Sequence, residues 1–127
     1  MVKLDHLTIA VSNWRASRDW YIAHLGFKPE FEAPTGGGSG LGVAAIQDDA
    51  GLTVFLEQFA TPIFSGQSAF TLQVDDVDAL SARLAAAGLT FIAEPGRQFW
   101  GYGAVLTDPD GHVIHLYDEV SMREKGG

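Results

Sequence analysis

The chain has 127 residues, about the size of one domain, and 46% of them are hydrophobic against 19% charged, which is enough apolar surface for a folded core. The net charge of −8 argues against a nucleic acid or an anionic membrane surface as partner, because both require a positive face. The absence of cysteine excludes disulfides and thiolate metal sites. No stretch resembles a signal peptide or a membrane span, so we expect a cytoplasmic protein.

The first half of the sequence predicts a strand, a helix and three further strands. Ser12 and Asn13 are favourable N-cap residues, and Gly26 is a typical helix end. The glycine-rich segment 33–42 predicts a flexible loop or lid. The predicted elements are a strand at 4–11, a helix at 14–25, and strands at 27–32, 43–46 and 52–58.

The second half predicts the same succession. Asp75 or Asp76 caps a helix that Gly88 ends, 94–101 reads as a loop, and DPDG at 108–111 is typical of a turn. The predicted elements are a strand at 69–74, a helix through residue 87, and strands at 89–93, 102–107 and 112–117. One domain, 1–127, would thus hold a first module at 4–58, a connector at 59–68, a second module at 69–119 and a frayed tail at 120–127.

The two halves also align by sequence. HLTIAVSNWRASRDWYIAHLG matches AFTLQVDDVDALSARLAAAGL, which pairs His6 with Ala69. Two capped amphipathic segments can resemble each other by chance, but chance does not explain why three strands follow the helix in both halves. We interpret the pattern as an internal duplication that forms an α+β fold of two βαβββ modules.

Side chains of a strand alternate between two faces, and the predicted outer strands have one aliphatic face and one polar face. A solvated face would carry Lys, Arg, Glu and Ser, whereas this one mixes imidazoles, a carboxylate, an amide and a phenol, which favours a pocket. His112 falls on the aliphatic side and is predicted to be a rim residue or a hydrogen-bond partner of the backbone. The polar set is His6, Glu57, Thr71, Gln73, His115 and Tyr117.

Several segments resemble the vicinal oxygen chelate superfamily, which includes glyoxalase I, bleomycin-resistance proteins and extradiol dioxygenases. They are LDHLTIAV, WYIAHLGF, VFLEQ, FTLQVDDVDAL and WGYGAVLTDPDGHVIHLYD, and the resemblance covers residues 4–119. It implies two βαβββ modules that form an incomplete eight-stranded barrel around a cavity. It also implies metal ligands on the first and last strand of each module, at the positions of His6, Glu57, Ala69 and His115.

Two of these positions depart from the glyoxalase pattern, in which a histidine stands at Ala69 and a carboxylate at His115. The departures argue against isomerase activity of the glyoxalase I kind. His6, Glu57 and His115 remain as ligands for a divalent metal such as Fe, Mn, Zn, Co or Ni. The same three side chains also fit a hydrogen-bonded polar patch without a metal.

Two functions follow from the resemblance. The first is a metal-dependent lyase or dioxygenase acting on a small organic substrate with adjacent oxygens, in which Gln73 and Tyr117 are the nearest general acid, base or orienting groups. The alternative is a metal-free protein that sequesters a hydrophobic or aromatic small molecule, as in antibiotic resistance. The predicted substrate pocket contains Phe55, Thr71, Trp100 and Tyr102, with Phe31 and Phe64 as weaker candidates.

The resemblance also implies a homodimer with exchanged modules, since small relatives commonly pair in this way. In such a dimer His6 and Glu57 would meet His115 of the partner subunit.

Overall fold

The computed structural model describes residues 1–60 and 67–127, so Phe64 and most of the predicted connector lie outside the described residues. The chain divides into two compact units, unit 1 (Met1–Gly66) and unit 2 (Gln67–Gly127). Each begins with β-α-β-β-β, and each contains an open, mixed sheet of four strands. The prediction of an α+β fold with two βαβββ modules is thereby confirmed.

Unit 1 follows the predicted local signals closely. Asn13 caps the helix by accepting the N–H of Ala16 at 3.0 Å, and Gly26 ends it in the left-handed region with φ 72°. The elements are β1 (His6–Ala10), α1 (Trp14–Leu25), β2 (Lys28–Pro34), β3 (Gly42–Gln47) and β4 (Thr53–Gln58). The sheet order is β1-β4-β3-β2, with β1 parallel to β4 and the other pairs antiparallel.

The glycine-rich segment between β2 and β3 is closed by hydrogen bonds. The N–H of Thr35 donates to the carbonyl of Leu41 at 2.9 Å, and the buried indole of Trp14 donates to the carbonyl of Gly40 at 3.1 Å. A Cβ added at Gly42 would lie 2.7 Å from the same indole. The segment predicted as a flexible loop is therefore anchored to α1 through Trp14.

Unit 2 repeats the sheet of unit 1 and adds a helix. Its elements are β5 (Ala69–Gln73), α2 (Val77–Ala86), β6 (Phe91–Gln98), β7 (Gly101–Thr107), β8 (Val113–Tyr117) and α3 (Glu119–Lys125). The sheet order is β5-β8-β7-β6, and β5 is parallel to β8. Within the described part of the chain, no helix has the length and apolar character needed to cross a membrane.

Two segments of unit 2 differ from the sequence-based prediction. Residues 94–98, expected in a loop, belong to β6, an edge strand whose pairing with β7 shifts register on both sides of Ala93. Pro95 is compatible with this strand because an edge strand is paired on one side only. The tail, expected to be frayed, forms α3, whose first turn is capped by Asp118.

The carboxylate of Asp118 connects the two helices of unit 2. It is 3% exposed, and it accepts the N–H of Ser121 at 2.6 Å and the N–H of Val77 at 2.7 Å. One side chain thus caps α3 and also binds the first N–H of α2. Burial raises the pKa of Asp118, but the hydrogen bonds from Val77 and Ser121 together outweigh it, so the pKa lies below the usual carboxyl value.

His112 binds the backbone beside the turn at 108–111. Its ring is 4% exposed, and its Nδ1 accepts the N–H of Ser68 at 2.9 Å. The N–H of His112 donates to Asp108 Oδ1 at 2.9 Å. The prediction that His112 is a hydrogen-bond partner of the backbone is confirmed.

We predict that Asp118→Asn lowers the free energy of unfolding by about 1–3 kcal/mol at pH 7, because an amide retains one acceptor oxygen and leaves a buried donor poorly matched. A carboxyl whose folded pKa is lowered contributes stability above its unfolded pKa, and this contribution is lost as the pH falls through the folded pKa. Urea denaturation of both proteins should therefore show the difference at pH 7 and a smaller one at low pH. Glu119→Gln is the control, because it removes one negative charge from an exposed position of the same helix. An equal decrease in the free energy of unfolding in this variant would contradict the role of Asp118.

Candidate functional site

Each sheet has one face against its helix and a second face away from it, which we call the helix-distal face. Leu56, Ile114 and Leu116 on the first face are completely buried, whereas Glu57 and His115 on the second are half-buried. Strand alternation determines which side chains lie on this face. In unit 1, β1 and β4 present His6, Thr8, Ala10, Thr53, Phe55 and Glu57 there. In unit 2, β5 and β8 present Ala69, Thr71, Gln73, Val113, His115 and Tyr117.

Three rings meet on the helix-distal face of unit 1. The imidazole of His6 stacks on Phe55 with 3.9 Å between ring centroids and 17° between planes. Phe31 meets Phe55 edge to face, with centroids 5.5 Å apart. The contact follows from the sheet, because Phe31, Ala45 and Phe55 occupy one row across β2, β3 and β4. We call His6, Phe31 and Phe55 the aromatic wall.

The register of the parallel strands decides which positions of the two units are equivalent. β1 pairs His6 with Thr53, and β5 pairs Ala69 with Val113. The duplication aligns His6 with Ala69, so their register partners Thr53 and Val113 are equivalent. Two residues beyond these partners, the last strand carries Phe55 in unit 1 and His115 in unit 2. Phe55, rather than Glu57, therefore stands at the level of His115.

Unit 1 does not provide a metal site between His6 and Glu57. Glu57 lies four residues beyond the partner of His6, an offset of about 13 Å along the strand, whereas ligand atoms lie about 2 Å from a bound ion. Over residues 1–60 and 67–127, neither unit groups three His, Asp or Glu side chains in a way that could hold a metal. Neither unit by itself therefore supplies, from its described residues, a ligand set for a divalent metal.

His115 has an aromatic neighbour in unit 2. It lies in register between Thr71 and Val105, and the indole of Trp100 meets its ring edge to face at 5.5 Å. A Cβ added at Gly103 would lie 2.5 Å from the same indole, so this glycine makes room for Trp100. Among the described residues, no hydrogen bond reaches the His115 ring.

The two predicted acid-base residues bind each other. The hydroxyl of Tyr117 donates to Gln73 Oε1 at 3.2 Å, and the two residues are in register across β5 and β8. They lie on the same helix-distal face as Thr71 and His115. Unit 2 thus gathers Gln73, Thr71, His115, Tyr117 and Trp100 on one side of its sheet.

Tyr102, the remaining predicted pocket residue, lies on the other side of that sheet. Its hydroxyl donates to Asp78 of α2 at 2.7 Å, and Lys125 of α3 lies 5.0 Å from its ring centroid. Hydrogen bonds from Lys125 and then from Tyr102 lower the pKa of Asp78, while the bond to Asp78 raises the pKa of Tyr102. Alternation along β7 places Tyr102 on the same face as the buried Ala104 and Leu106. Tyr102 therefore contacts α2 and α3 and does not share a face with His115.

The chain matches a family model described as the Glyoxalase/Bleomycin resistance protein/Dioxygenase superfamily over residues 3–116, and it belongs to this superfamily. The structure is similar to that of TnmS3, an antibiotic binding protein from Streptomyces sp. CB03234, with 28% identity, a TM-score of 0.75, and coverage of 92% of this chain and 96% of that chain.

Two further structures share the fold at 16% identity. One is the fosfomycin resistance protein FosX from Listeria monocytogenes, complexed with Mn(II) and sulfate, with a TM-score of 0.71 and coverage of 98% of this chain and 99% of that chain. The other is a lactoylglutathione lyase from Agrobacterium tumefaciens, with a TM-score of 0.71 and coverage of 90% and 92%. No curated protein sequence matched the chain.

We predict a coupling between His6 and Phe55 of about 0.5–1.5 kcal/mol in a double-mutant cycle on the free energy of unfolding, with alanine at both positions. A second cycle, with His6→Ala and Glu57→Ala, is the control and should give a coupling near zero because the two residues are far apart in the register. Urea denaturation supplies all values. A larger coupling to Glu57 than to Phe55 would show that the register is wrong.

Proposed function

We propose that this protein binds a planar aromatic small molecule without a metal ion, as an antibiotic-sequestering protein would. The observation that carries the proposal is the aromatic wall of unit 1, in which Phe55 stacks on His6. Phe55 stands at the level that His115, a predicted metal ligand, occupies in unit 2. A ring at this position offers a surface for stacking and no lone pair for coordination.

The wall retains area that a ligand can cover. Phe31 is 47% exposed, and the side chain of His6 is 34% exposed. Offset or edge-to-face contacts between aromatic rings contribute about 0.5–1.5 kcal/mol each beyond the apolar area that they bury. Trp100 and His115 give unit 2 a second ring pair, which supports the same class of ligand.

Binding is preferred over catalysis for a further reason. TnmS3, the structural relative with 28% identity, is an antibiotic binding protein. In addition, the hydroxyl of Tyr117 donates to Gln73 Oε1, so the two groups predicted to take part in acid-base chemistry bind each other. The lyase or dioxygenase reaction and the homodimer with exchanged modules stay predictions.

We predict that the intact protein, after treatment with EDTA, still binds 1-(2-hydroxyethylamino)anthraquinone, a neutral planar probe. Phe55→Ala should weaken binding about 5–10-fold, because one stacking surface is removed. Quenching of tryptophan fluorescence measures the dissociation constants. Phe99→Ala is the matched control, since Phe99 is 103% exposed and has no place in the wall.

Elemental analysis of the same preparation tests the metal-dependent function. About one equivalent of a transition metal, lost in Glu57→Ala and in His115→Ala, would favour an enzyme if EDTA also abolished binding of the probe. Equal binding by the parent and Phe55→Ala would contradict the assignment of the wall.

A further inference from the structure

Glu57 extends the aromatic wall along β4. It lies two residues beyond Phe55 on the same helix-distal face, and its register partners are Ala10 on β1 and Val43 on β3. Both partners have apolar side chains, and Val43 is buried. The carboxylate is therefore half-buried between neighbours that offer it no hydrogen bond.

Three of the four lysine and arginine side chains of unit 1 interact elsewhere, and the fourth, Lys3, precedes β1. Arg18 binds Glu32 at 2.6 Å and Asp19 at 3.0 Å, and Lys28 lies 3.4 Å from Asp49. Arg15 lies over the ring of Trp14, 4.2 Å from its centroid. Within residues 1–60, no ion pair or hydrogen bond reaches the carboxylate of Glu57. A partly buried carboxylate without a partner is unfavourable, and a cation beside it relieves that cost.

In unit 2, the position equivalent to Glu57 is occupied by Tyr117, whose hydroxyl has a hydrogen-bond partner. Glu57 pairs with Ala10 in β1, and Tyr117 pairs with Gln73 in β5. Tyr117 donates its hydroxyl to Gln73 at 3.2 Å, so unit 2 supplies an internal partner. Unit 1 has an alanine there, which leaves the carboxylate for a group from outside the unit.

We infer that Glu57 recognises a positive charge on the ligand, so that the ligand is a planar aromatic molecule carrying a protonated amine. The inference rests on the proposed function, because it takes the aromatic wall as the place of the rings. Two residues along a strand span about 7 Å, which sets the separation between the stacked ring system and the ammonium group. An amine on a two-carbon arm has this reach.

The experiment compares two anthraquinones that differ in one group. 1-(2-aminoethylamino)anthraquinone carries an ammonium at pH 7, and 1-(2-hydroxyethylamino)anthraquinone is its neutral counterpart. Calorimetric titration of the full chain should give about ten-fold tighter binding of the ammonium probe, because a charge-assisted hydrogen bond forms at a half-buried carboxylate. Glu57→Gln should reduce the two affinities to the same value, that of the neutral probe.

Two variants separate this inference from the proposed function. Asp49→Asn removes the same charge from an exposed turn of unit 1 and should keep the ten-fold preference. Phe55→Ala should weaken both probes equally. Equal affinities for both probes in the parent protein would overturn the inference and leave the proposed function intact. Failure of both probes to bind would overturn the two together, and a preference that survives Glu57→Gln would assign the charge recognition to another group.

Discussion

Parallel pairing between the first and last strand of each module determines which side chains of this protein can act together. A hydrogen-bonded register fixes both the face and the level of every residue, and a shift of one residue would exchange the two faces. In unit 1 this register brings Phe55 to the imidazole of His6 and leaves Glu57 further along the strand. In unit 2 it brings His115 to the same level. The two units thus share one strand arrangement, but they carry different side chains at equivalent positions.

The sequence predicts the features that depend on local rules. Asn13 and Gly26 delimit α1 because capping and left-handed geometry depend on a few neighbouring residues. Strand alternation likewise identifies the side chains of each helix-distal face, including His6 and His115. The order of elements and the duplication, which together define the fold class, follow from these signals.

Features that depend on contacts between distant segments are not predictable in the same way. Alternation places Phe55 and Glu57 on one face, but only the pairing of β1 with β4 shows which of them meets His6. The tail has a polar composition that is typical of frayed ends, yet Asp118 caps it and Lys125 binds Asp78 at 2.9 Å. Pro95 indicates a loop, and an edge strand accommodates it.

A crystal structure grown with equimolar manganese chloride and an anthraquinone probe tests the central claim most directly. The account predicts that the ring system lies against Phe55 and His6, and that no ion is coordinated by both His6 and Glu57 of one chain. A manganese ion bound by both of these side chains would contradict it, because their separation in the register leaves no common position for an ion.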